Sequence, residues 1–397
     1  MYKIVLIVIC ITKTMACNYK TLVVTTSGPI QGRLVRDLGL SYYSFQGIPY
    51  AENPVGKFRF KPPVPKKPWS EVLDTTKTGP VCMQAEGTYK NEEMSENCLF
   101  LNIYVPANRT EISHPMPVLV YVHGGEFKSL SGNNDYVYGP QLLIKGDFIV
   151  ITVNYRLGAL GFLSLGIEDA SGNAGIKDVL LALQWVKANI NLFGGNSDKT
   201  TLGGNSAGAV LVHYLTLTTK STGLFNQAIL ISGSALGYRF LARHPVENAV
   251  ALAKQLDIQT NDTYELLKTL KEKDAFDIIQ AQKDMEQSDK IKGIRPFAPF
   301  VPCIEIESSS AILTKDPIEI IMSGIPQNVP ILAGINSDEG IKMLKVIKMN
   351  QTLIDFLNEN FELCIPSNIE YPYGSEESQE EKAVKTCTIT FIISREI

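Results

Sequence analysis

Apolar, β-branched runs alternate with helical patterns from about residue 99 onward, and this alternation admits few folds. The runs are "PVLVYVH", "DFIVITVNY", "KTTLGG", "QAILIS" and "VPILAGI". Unbroken runs of this kind are typical of strands buried on both faces. The clearest helical pattern between them is "AGIKDVLLALQWVKANINLFGG", which ends at a glycine pair. The alternation predicts an α/β fold with a doubly wound, mostly parallel central sheet.

Residues 244–325 interrupt this alternation. The segments "VENAVALAKQLD" and "TYELLKTLKEKDAFDIIQAQ" are each predicted as an amphipathic helix, with no strong central strand between them. Helices inserted between two sheet strands commonly cover the site at the C-terminal ends of the strands. We therefore expect this helical insertion to lie over the functional site.

Composition and charge exclude some classes of partner. Of the 397 residues, 45% are hydrophobic and 20% are charged, which is ordinary for a globular protein with a sizeable core. The formal net charge of −4 gives no electrostatic reason to expect nucleic acid or acidic lipid as a partner.

The N-terminal segment "MYKIVLIVICITKTMAC" predicts secretion. It has Lys3, an apolar run from Ile4 to Ile11 and the small residue Ala16. Because roughly 8 apolar residues are too few to span a bilayer, we interpret residues 1–17 as a signal peptide. Residues 18–397 then form the mature, extracellular domain. No later stretch approaches the length of a membrane helix, so no membrane anchor is expected.

If the protein is secreted, its sequons can be glycosylated and its cysteines can form disulfides. Asn108, Asn261 and Asn350 each begin an Asn-x-Thr sequon and are candidate glycosylation sites. Among seven cysteines, Cys82 and Cys98 in a polar loop are the best candidates for a disulfide in an oxidising compartment.

The motif Gly204-Asn205-Ser206-Ala207-Gly208 predicts a nucleophilic serine. It lies between a β-branched run and an apolar helical run, as such a serine does at a strained strand-to-helix turn. The flanking glycines allow close backbone approach. The backbone N–H that follows the serine, from Ala207, is placed to donate to an oxyanion.

Two further segments complete a candidate constellation. In "VHGGEF", the glycines before Glu126 end a predicted strand and let backbone N–H groups face a developing negative charge. The Glu126 carboxylate would oppose an oxyanion unless it points away or is paired. In "GINSDEGI", both Asp338 and Glu339 follow a late strand, where hydrolases with this chain order carry their acid.

Several long motifs resemble type-B carboxylesterases, the family that includes cholinesterases and many insect esterases. These motifs are "FQGIPYAENPVGKFRFKPPVPKKPW", "SENCLFLNIYVP", "VYVHGGEF", "NYRLGALGFLS", "GNAGIKDVLLALQWVKANI", "GGNSAGA" and "SDEG". They occur in the family's order from about residue 20 to about residue 375. The resemblance implies an α/β-hydrolase fold and hydrolysis of a small-molecule carboxylic ester, with no metal and no cofactor.

The resemblance also implies roles for individual residues. Ser206 is the nucleophile, Glu339 rather than Asp338 is the acid, and Gly125, Glu126 and Ala207 are the oxyanion donors. The implied structural pairs are the Cys82–Cys98 disulfide and the ion pairs Arg59–Glu96 and Arg156–Asp178.

The chain departs from the family pattern in its site. Asn205 stands where an acid is usual before the serine, and Glu126 replaces a third glycine. The tryptophan that binds choline in cholinesterases is missing between Cys82 and Cys98, where only Tyr89 is aromatic. This difference argues against a cholinesterase.

The triad histidine is the larger departure, because no histidine follows Glu339. His213 lies about two helical turns after Ser206, so its Cα is roughly 10 Å away, whereas a nucleophile–base hydrogen bond spans about 3 Å. The other three histidines also do not fit the base: His123 belongs to the glycine loop, His114 lies in a polar turn, and His244 opens the helical insertion.

We therefore expect an incomplete carboxylesterase domain with little or no turnover. The resemblance fades after "YPYGSEESQEEKAVK", and the terminal "TCTITFIISREI" is either a strand or sequence translated past a splice boundary. A non-catalytic, cholinesterase-like binding or adhesion protein is the alternative function. A truncated transcript or gene model is a third interpretation. The sequence carries no signal for oligomeric state.

Overall fold

An eight-stranded sheet is the central element of this protein. The computed structural model describes residues 21–337 and residue 339, except for residues 38, 86–88, 90–92, 108–113, 134–139, 261, 293–297 and 325–326. The strands described are β1 Leu22–Val24, β2 Pro29–Gln31, β3 Arg33–Asp37, β4 Leu40–Pro49, β5 Leu73–Asp74, β6 Val81–Cys82, β7 Met94–Ser95, β8 Phe100–Pro106, β9 Met116–Val122, β10 Ile149–Val153, β11 Ser164–Ile167, β12 Ala170–Ser171, β13 Gly195–Asn205, β14 Gln227–Ile231 and β15 Ile331–Gly334.

The order of the strands in this sheet is β15-β14-β13-β9-β10-β8-β4-β3. Strands β10, β9, β13, β14 and β15 pair in parallel, and β8, β4 and β3 extend the sheet with antiparallel pairs. From β9 the chain passes to β10 on one side, and from β10 it crosses to β13 on the other side of β9. This switch in direction makes the C-terminal ends of β9 and β13 the expected place for a ligand crevice.

The predicted runs coincide with the parallel strands, but the prediction of burial on both faces is wrong for "VPILAGI". All four residues of β15, Ile331–Gly334, are exposed, because β15 is the edge strand of the described sheet. All five residues of β10 are buried, and β13 begins at Gly195, earlier than the run "KTTLGG" indicated. The described helices are α1 Pro140–Leu143, α2 Gly158–Phe162, α3 Ala174–Asn189, α4 Ala207–Thr216, α5 Pro245–Gln255, α6 Thr263–Glu272, α7 Ala275–Lys292 and α8 Pro317–Met322. None of these helices combines the length and the apolar character needed to cross a membrane.

The helical insertion differs from its prediction in one respect. The segment "TYELLKTLKEKDAFDIIQAQ" is two helices, α6 and α7, so the prediction of one helix is wrong. Asp274 causes the break, because its side chain accepts a hydrogen bond from the N–H of Phe276 at 2.8 Å and caps α7. No strand is described between α5 and α8, as the sequence predicted.

Candidate active site

Ser206 lies at the sharp turn between β13 and α4. Its φ is +55° and its ψ is −123°, a backbone conformation that non-glycine residues rarely adopt. The side chain is half-buried, and the N–H of Ser206 donates to the carbonyl of Ile231 at the end of β14 (2.7 Å). The geometry is that of a strained nucleophile elbow.

Close backbone packing explains the glycines of the motif. A Cβ on Gly204 would lie 2.4 Å from the carbonyl carbon of Gly208. A Cβ on Gly208 would lie 2.1 Å from the carbonyl oxygen of Val122, the last residue of β9. The lack of a side chain at Gly204 therefore lets the turn close onto α4, and the lack of one at Gly208 lets α4 pack against β9.

The glycine loop after β9 lies against this serine. A Cβ on Gly124 would be 3.1 Å from the Cβ of Ser206 and 2.8 Å from the carbonyl oxygen of Asn205. The buried His123 ring stacks on Tyr155, with ring centroids 4.5 Å apart. Its Nδ1 lies 2.8 Å from the carbonyl oxygen of Gly124 and so fixes the first turn of the loop.

The peptide between Gly125 and Glu126 has a defined orientation. The carbonyl of Gly125 accepts hydrogen bonds from the N–H groups of Lys128 and Ser129 at 3.0 Å and from the Ser129 hydroxyl at 3.1 Å. In a trans peptide the N–H points away from the carbonyl, so the N–H of Glu126 points away from these three donors. Within the described residues, no hydrogen bond occupies the N–H of Gly125 or of Glu126.

A third donor comes from the helix that follows the serine. Ala207 is the first residue of α4, and the first N–H groups of an α-helix have no partner within the helix. The N-terminus of a helix also favours negative charge. Ala207 and the glycine loop thus present backbone N–H groups next to Ser206.

Glu339 is held after β15 by three hydrogen bonds. The hydroxyl of Ser232 donates to its Oε1 at 2.5 Å, and the backbone N–H and side-chain amide of Asn336 donate to the same oxygen at 3.1 Å each. Burial disfavours the charged carboxylate, but these hydrogen bonds outweigh burial and lower the pKa of Glu339 below its usual value. The group is therefore a carboxylate at neutral pH.

Backbone hydrogen bonds connect the acid to the elbow. The N–H of Ser232 donates to the carbonyl of Gly334 at 2.8 Å, and Ile231, one residue earlier, accepts from the N–H of Ser206. Strands β13, β14 and β15 are consecutive and parallel. Ser206 and Glu339 therefore follow strands that end at the same edge of the sheet.

No histidine contact is described for Ser206. The buried Nδ1 of His213 accepts from the N–H of Ala235 and lies within hydrogen-bond distance of the Ser234 hydroxyl, both at 3.1 Å. His244 lies 3.2 Å from Glu247 on the surface. Burial lowers the pKa of His213 to about 4, and it lowers that of His123 to about 4 against the opposing hydrogen bond to Gly124.

The predicted disulfide loop borders the helical insertion. Cys82 and Cys98 form a disulfide. The guanidinium of Arg59 pairs with Glu96 at 2.5 Å. One Nη of Arg59 also donates to the last carbonyls of α6, including that of Leu270 at 3.1 Å. Arg59 therefore caps a helix of the insertion as well as holding the loop.

The second predicted ion pair is wholly buried beneath the site. The Nε and Nη2 atoms of Arg156 donate to the Asp178 carboxylate at 2.8 and 2.7 Å, and the backbone N–H of Arg156 donates to it at 3.0 Å. Asp178 lies in the second turn of α3, and Arg156 lies two residues before α2. The pair fixes the chain after β10 to α3.

A cavity of about 430 Å³ opens beside the glycine loop. Its lining includes Lys128 and Ser129 of the loop, Met83 of the disulfide loop, and Ile279 and Glu286 of α7. The described residues contain no group of three or more His, Cys, Asp or Glu placed to hold a metal ion. Residues 1–17, predicted as a signal peptide, lie outside the described residues, as do Asp338 and the sequons at Asn108, Asn261 and Asn350.

Comparison with known proteins assigns the chain to a family. The model of the carboxylesterase family matches residues 19–391. The chain belongs to the carboxylesterase family. It is 37% identical over 348 residues to venom carboxylesterase-6 of Apis mellifera, and the match covers 87% of this chain and 61% of that protein.

This chain is also similar to juvenile hormone esterases. The Tribolium castaneum enzyme is 37% identical over 333 residues, covering 82% of this chain and 56% of that one. The crystal structure of juvenile hormone esterase from Manduca sexta, with OTFP covalently attached, aligns with a TM-score of 0.77 and 32% identity over 94% of this chain and 73% of that one. The predicted α/β-hydrolase fold is confirmed. The chain spans about three-fifths of the length of the curated relatives.

Sequence reasoning missed two contacts of this family member's site. Ser232 was not singled out, although it is the last residue of the predicted run "QAILIS" and directly follows β14, at the edge where Ser206 lies. The pairing of Lys128 with Glu286 was also missed, because the two residues are far apart in the sequence. A search for polar residues just after each buried strand would have found the first contact.

Proposed function

We propose that this chain carries the acyl-transfer site of a serine carboxylic ester hydrolase. The observation that carries the proposal is the strained Ser206, held against the glycine loop at the N-terminus of α4. Strain of this kind persists where the surrounding structure fixes it, and it clusters at functional sites. Glu339 at the same sheet edge supports the assignment.

The proposed reaction is acyl transfer to Ser206. The Ser206 oxygen bonds to the ester carbonyl carbon, and the carbonyl oxygen becomes negative. The N–H groups of Gly125, Glu126 and Ala207 stabilise that oxyanion. The bond between the carbonyl carbon and the alcohol oxygen then breaks. Solvent carries the serine proton to that oxygen, and the alcohol leaves. Water attacks the acyl-serine in the same way, which releases the carboxylic acid and restores Ser206.

The residue that would move the serine proton is not among the described contacts of Ser206. Glu339 acts in this proposal only by orienting an imidazole. An enzyme that lacks one triad member keeps residual catalysis from the oxyanion hole. We therefore expect slow acylation of Ser206 and little turnover.

The substrate we propose is a small-molecule carboxylic ester. The cavity beside the glycine loop combines apolar lining from Met83 and Ile279 with polar lining from Ser129. A mixed lining of this kind suits an ester with an apolar part and a few polar atoms. The names of the similar proteins, carboxylesterase and juvenile hormone esterase, support the same class of substrate.

We propose further that the protein is secreted as a glycoprotein. The Cys82–Cys98 disulfide suits an oxidising compartment. Expression in insect cells should place the protein in the medium with an N-terminus near residue 18. It should also carry glycan on at least one sequon, removable by a glycosidase. Retention inside the cells with residues 1–17 still attached would contradict the proposal.

Covalent labelling by a fluorophosphonate tests the proposed chemistry. The Ser206 oxygen bonds to phosphorus and fluoride leaves, so labelling needs the nucleophile and the oxyanion donors but no second half-reaction. We expect labelling of the unaltered chain and none of Ser206→Ala. Ser323→Ala, at an exposed serine that follows α8, is the matched control and should label normally.

The outcomes separate the two candidate functions. Equal labelling of Ser206→Ala and the unaltered chain would contradict the assignment of the nucleophile. An unaltered, folded chain that does not label would favour the non-catalytic binding protein. Hydrolysis of p-nitrophenyl acetate, followed on the same samples, then reports whether acylation proceeds to turnover.

A further inference from the structure

The glycine loop contains two consecutive residues with positive φ that are not glycine. Gly125 has φ +102°, Glu126 has φ +55° and Phe127 has φ +61°. For Phe127 the packing supplies the reason: its buried ring meets those of Phe162 and Phe240, with centroids 5.3 and 6.1 Å away. Glu126 is exposed and has no such packing. A glycine at position 126 would be less strained.

The side chain of Glu126 contacts the ion pair between Lys128 and Glu286. The Nζ of Lys128 lies 3.3 Å from one Glu126 carboxylate oxygen and 2.8 Å from Glu286 of α7. The side chain of Glu126 is 62% exposed, that of Lys128 27% and that of Glu286 11%. The better-buried and shorter contact, to Glu286, therefore sets the position of the ammonium group, and Glu126 is the outer member of the cluster.

Further hydrogen bonds fix Glu286 itself. Its Oε1 accepts from the side-chain amide of Gln282 at 2.8 Å, and the amide oxygen of Gln282 accepts from the N–H of Ala159 at 2.9 Å. Lys128 is thereby held on α7 and, through α7, on the first turn of α2. Burial opposes the charge on Lys128, but Glu286 and then Glu126 outweigh it and raise its pKa above the usual value.

We propose that Lys128 is a positioning residue that neutralises the Glu126 carboxylate and keeps the Glu126 N–H effective as an oxyanion donor. The proposal rests on the proposed function, because it needs a negative charge to develop beside Ser206. The carboxylate of Glu126 lies no farther from the backbone N–H of Glu126 than the length of one side chain. Without the ammonium, its charge would repel the oxyanion that the N–H is meant to stabilise.

This role differs from a contribution to stability. The exposed pair with Glu126 adds little to folding, whereas the better-buried pair with Glu286 contributes more, so Lys128→Met should also lower stability through Glu286. The effect of Glu126 on the oxyanion is separate, because that negative charge exists only while the reaction proceeds. Removal of the Glu126 carboxylate should therefore restore reactivity lost with Lys128 without restoring the stability.

A set of variants separates charge from structure, with the rate constant of fluorophosphonate labelling as the readout. We expect Lys128→Met to label about tenfold more slowly than the unaltered chain. Lys128→Arg, which keeps the charge, should lose no more than about twofold. Lys187→Met is the control, since it removes a lysine from an exposed pair with Asp198.

Second substitutions in the Lys128→Met background identify the carboxylate concerned. Glu126→Gln should restore most of the lost rate, and Glu286→Gln should not, although both remove a carboxylate that had paired with Lys128. Thermal unfolding of each variant is followed in parallel. A merely structural role predicts that Glu286→Gln restores the rate, alone or together with Glu126→Gln, or that neither does.

The proposal and the proposed function fail in different ways. If Lys128→Met labels as fast as the unaltered chain, or Glu126→Gln restores nothing, the positioning role is overturned while Ser206 remains the nucleophile. If Ser206→Ala labels as fast as the unaltered chain, the proposed function fails and the positioning role fails with it.

Discussion

The hydroxyl of Ser232 donates to Glu339 at 2.5 Å, and the two residues follow the neighbouring parallel strands β14 and β15. Asn336 supplies two further hydrogen bonds to the same carboxylate oxygen. All of these donors come from the chain itself and none is an imidazole. These described hydrogen bonds therefore orient and ionise Glu339 without an imidazole, which has a direct chemical consequence.

Free imidazole should accelerate the reaction of Ser206. A small imidazole can take the serine proton, since no histidine is among the described contacts of Ser206, and Glu339 can orient it by accepting its N–H. We expect p-nitrophenyl acetate hydrolysis above the buffer background to rise at least tenfold in about 0.1 M imidazole at pH 7.5, a rise within the range of general-base catalysis. The measurement is the imidazole-dependent rate for the unaltered chain and for Ser206→Ala.

Glu339→Gln is the matched control for this rescue. Without imidazole it should label with fluorophosphonate at nearly the rate of the unaltered chain, since the acid acts only through an imidazole. With imidazole it should gain less, because the amide binds the imidazolium more weakly than a carboxylate does. A full gain in Glu339→Gln would show that the acid does not orient the base.

Gly125→Ala should slow the reaction by displacing the proposed oxyanion donors. The new Cβ would lie 2.0 Å from the carbonyl oxygen of Ser129, at a φ of +102° that alanine does not favour. The loop would have to move, taking the N–H groups of Gly125 and Glu126 with it. We expect labelling of Ser206 to slow by about a hundredfold, the usual effect of losing an oxyanion donor.

Gly56→Ala is the control for the glycine's conformation. Gly56 also has a left-handed φ, +55°, but nothing lies within 4 Å of its added Cβ. This variant should destabilise the fold slightly and leave the labelling rate unchanged. Equal slowing in both variants would mean that general loss of stability, and not displacement of the loop, is responsible.

Local patterns in the sequence were enough to predict the sheet and the elbow. A strand buried on both faces, such as Ile149–Val153, must be apolar throughout, and its run is visible without a structure. The glycines at positions 204 and 208 can likewise be recognised from the sequence as part of a short motif. The structure shows why they are needed, because the backbone packing leaves no room for a side chain at either position. These features depend on near neighbours in the chain.

Contacts between distant residues could not be predicted in this way. Nothing local to Lys128 indicates that Glu286 will meet it, because the meeting depends on how α7 lies on the sheet. The break at Asp274 is a different case: aspartate is a usual N-cap residue, but the apolar spacing of the segment is nearly continuous across it. The N-cap residue Asp274 could be read from the sequence, but the continuous apolar spacing favoured a single helix.

The buried pair of Arg156 and Asp178 should dominate the stability of the region beneath the site. Asp178→Ala leaves a buried guanidinium without its carboxylate, and breaking such a pair typically destabilises by about 3–5 kcal/mol. Asp198→Ala removes the acid of an exposed pair and should reduce stability by less than about 1 kcal/mol. Urea unfolding of both variants gives the comparison, and similar losses would contradict the assigned difference.

Acid should destabilise the fold partly through His213. Burial lowers its pKa in the folded protein to about 4, against 6.5 for an unperturbed histidine. Between these values the unfolded chain binds a proton that the folded protein excludes, so stability falls as pH decreases from about 6.5 to about 4. The contribution present above pH 6.5 and lost by pH 4 is up to about 3 kcal/mol. Free energies of unfolding at several pH values measure it.

His213→Asn isolates this contribution from other acid-sensitive groups. The amide oxygen of asparagine can replace Nδ1 as the acceptor for the N–H of Ala235 but does not titrate in this range. The variant should therefore lose less stability than the unaltered chain between pH 6.5 and 4. His123, whose pKa is also lowered to about 4, remains in both proteins and cancels in the difference. His244→Asn changes an exposed histidine and should follow the unaltered chain. If His213→Asn also follows it, the buried ring is not a source of the acid sensitivity.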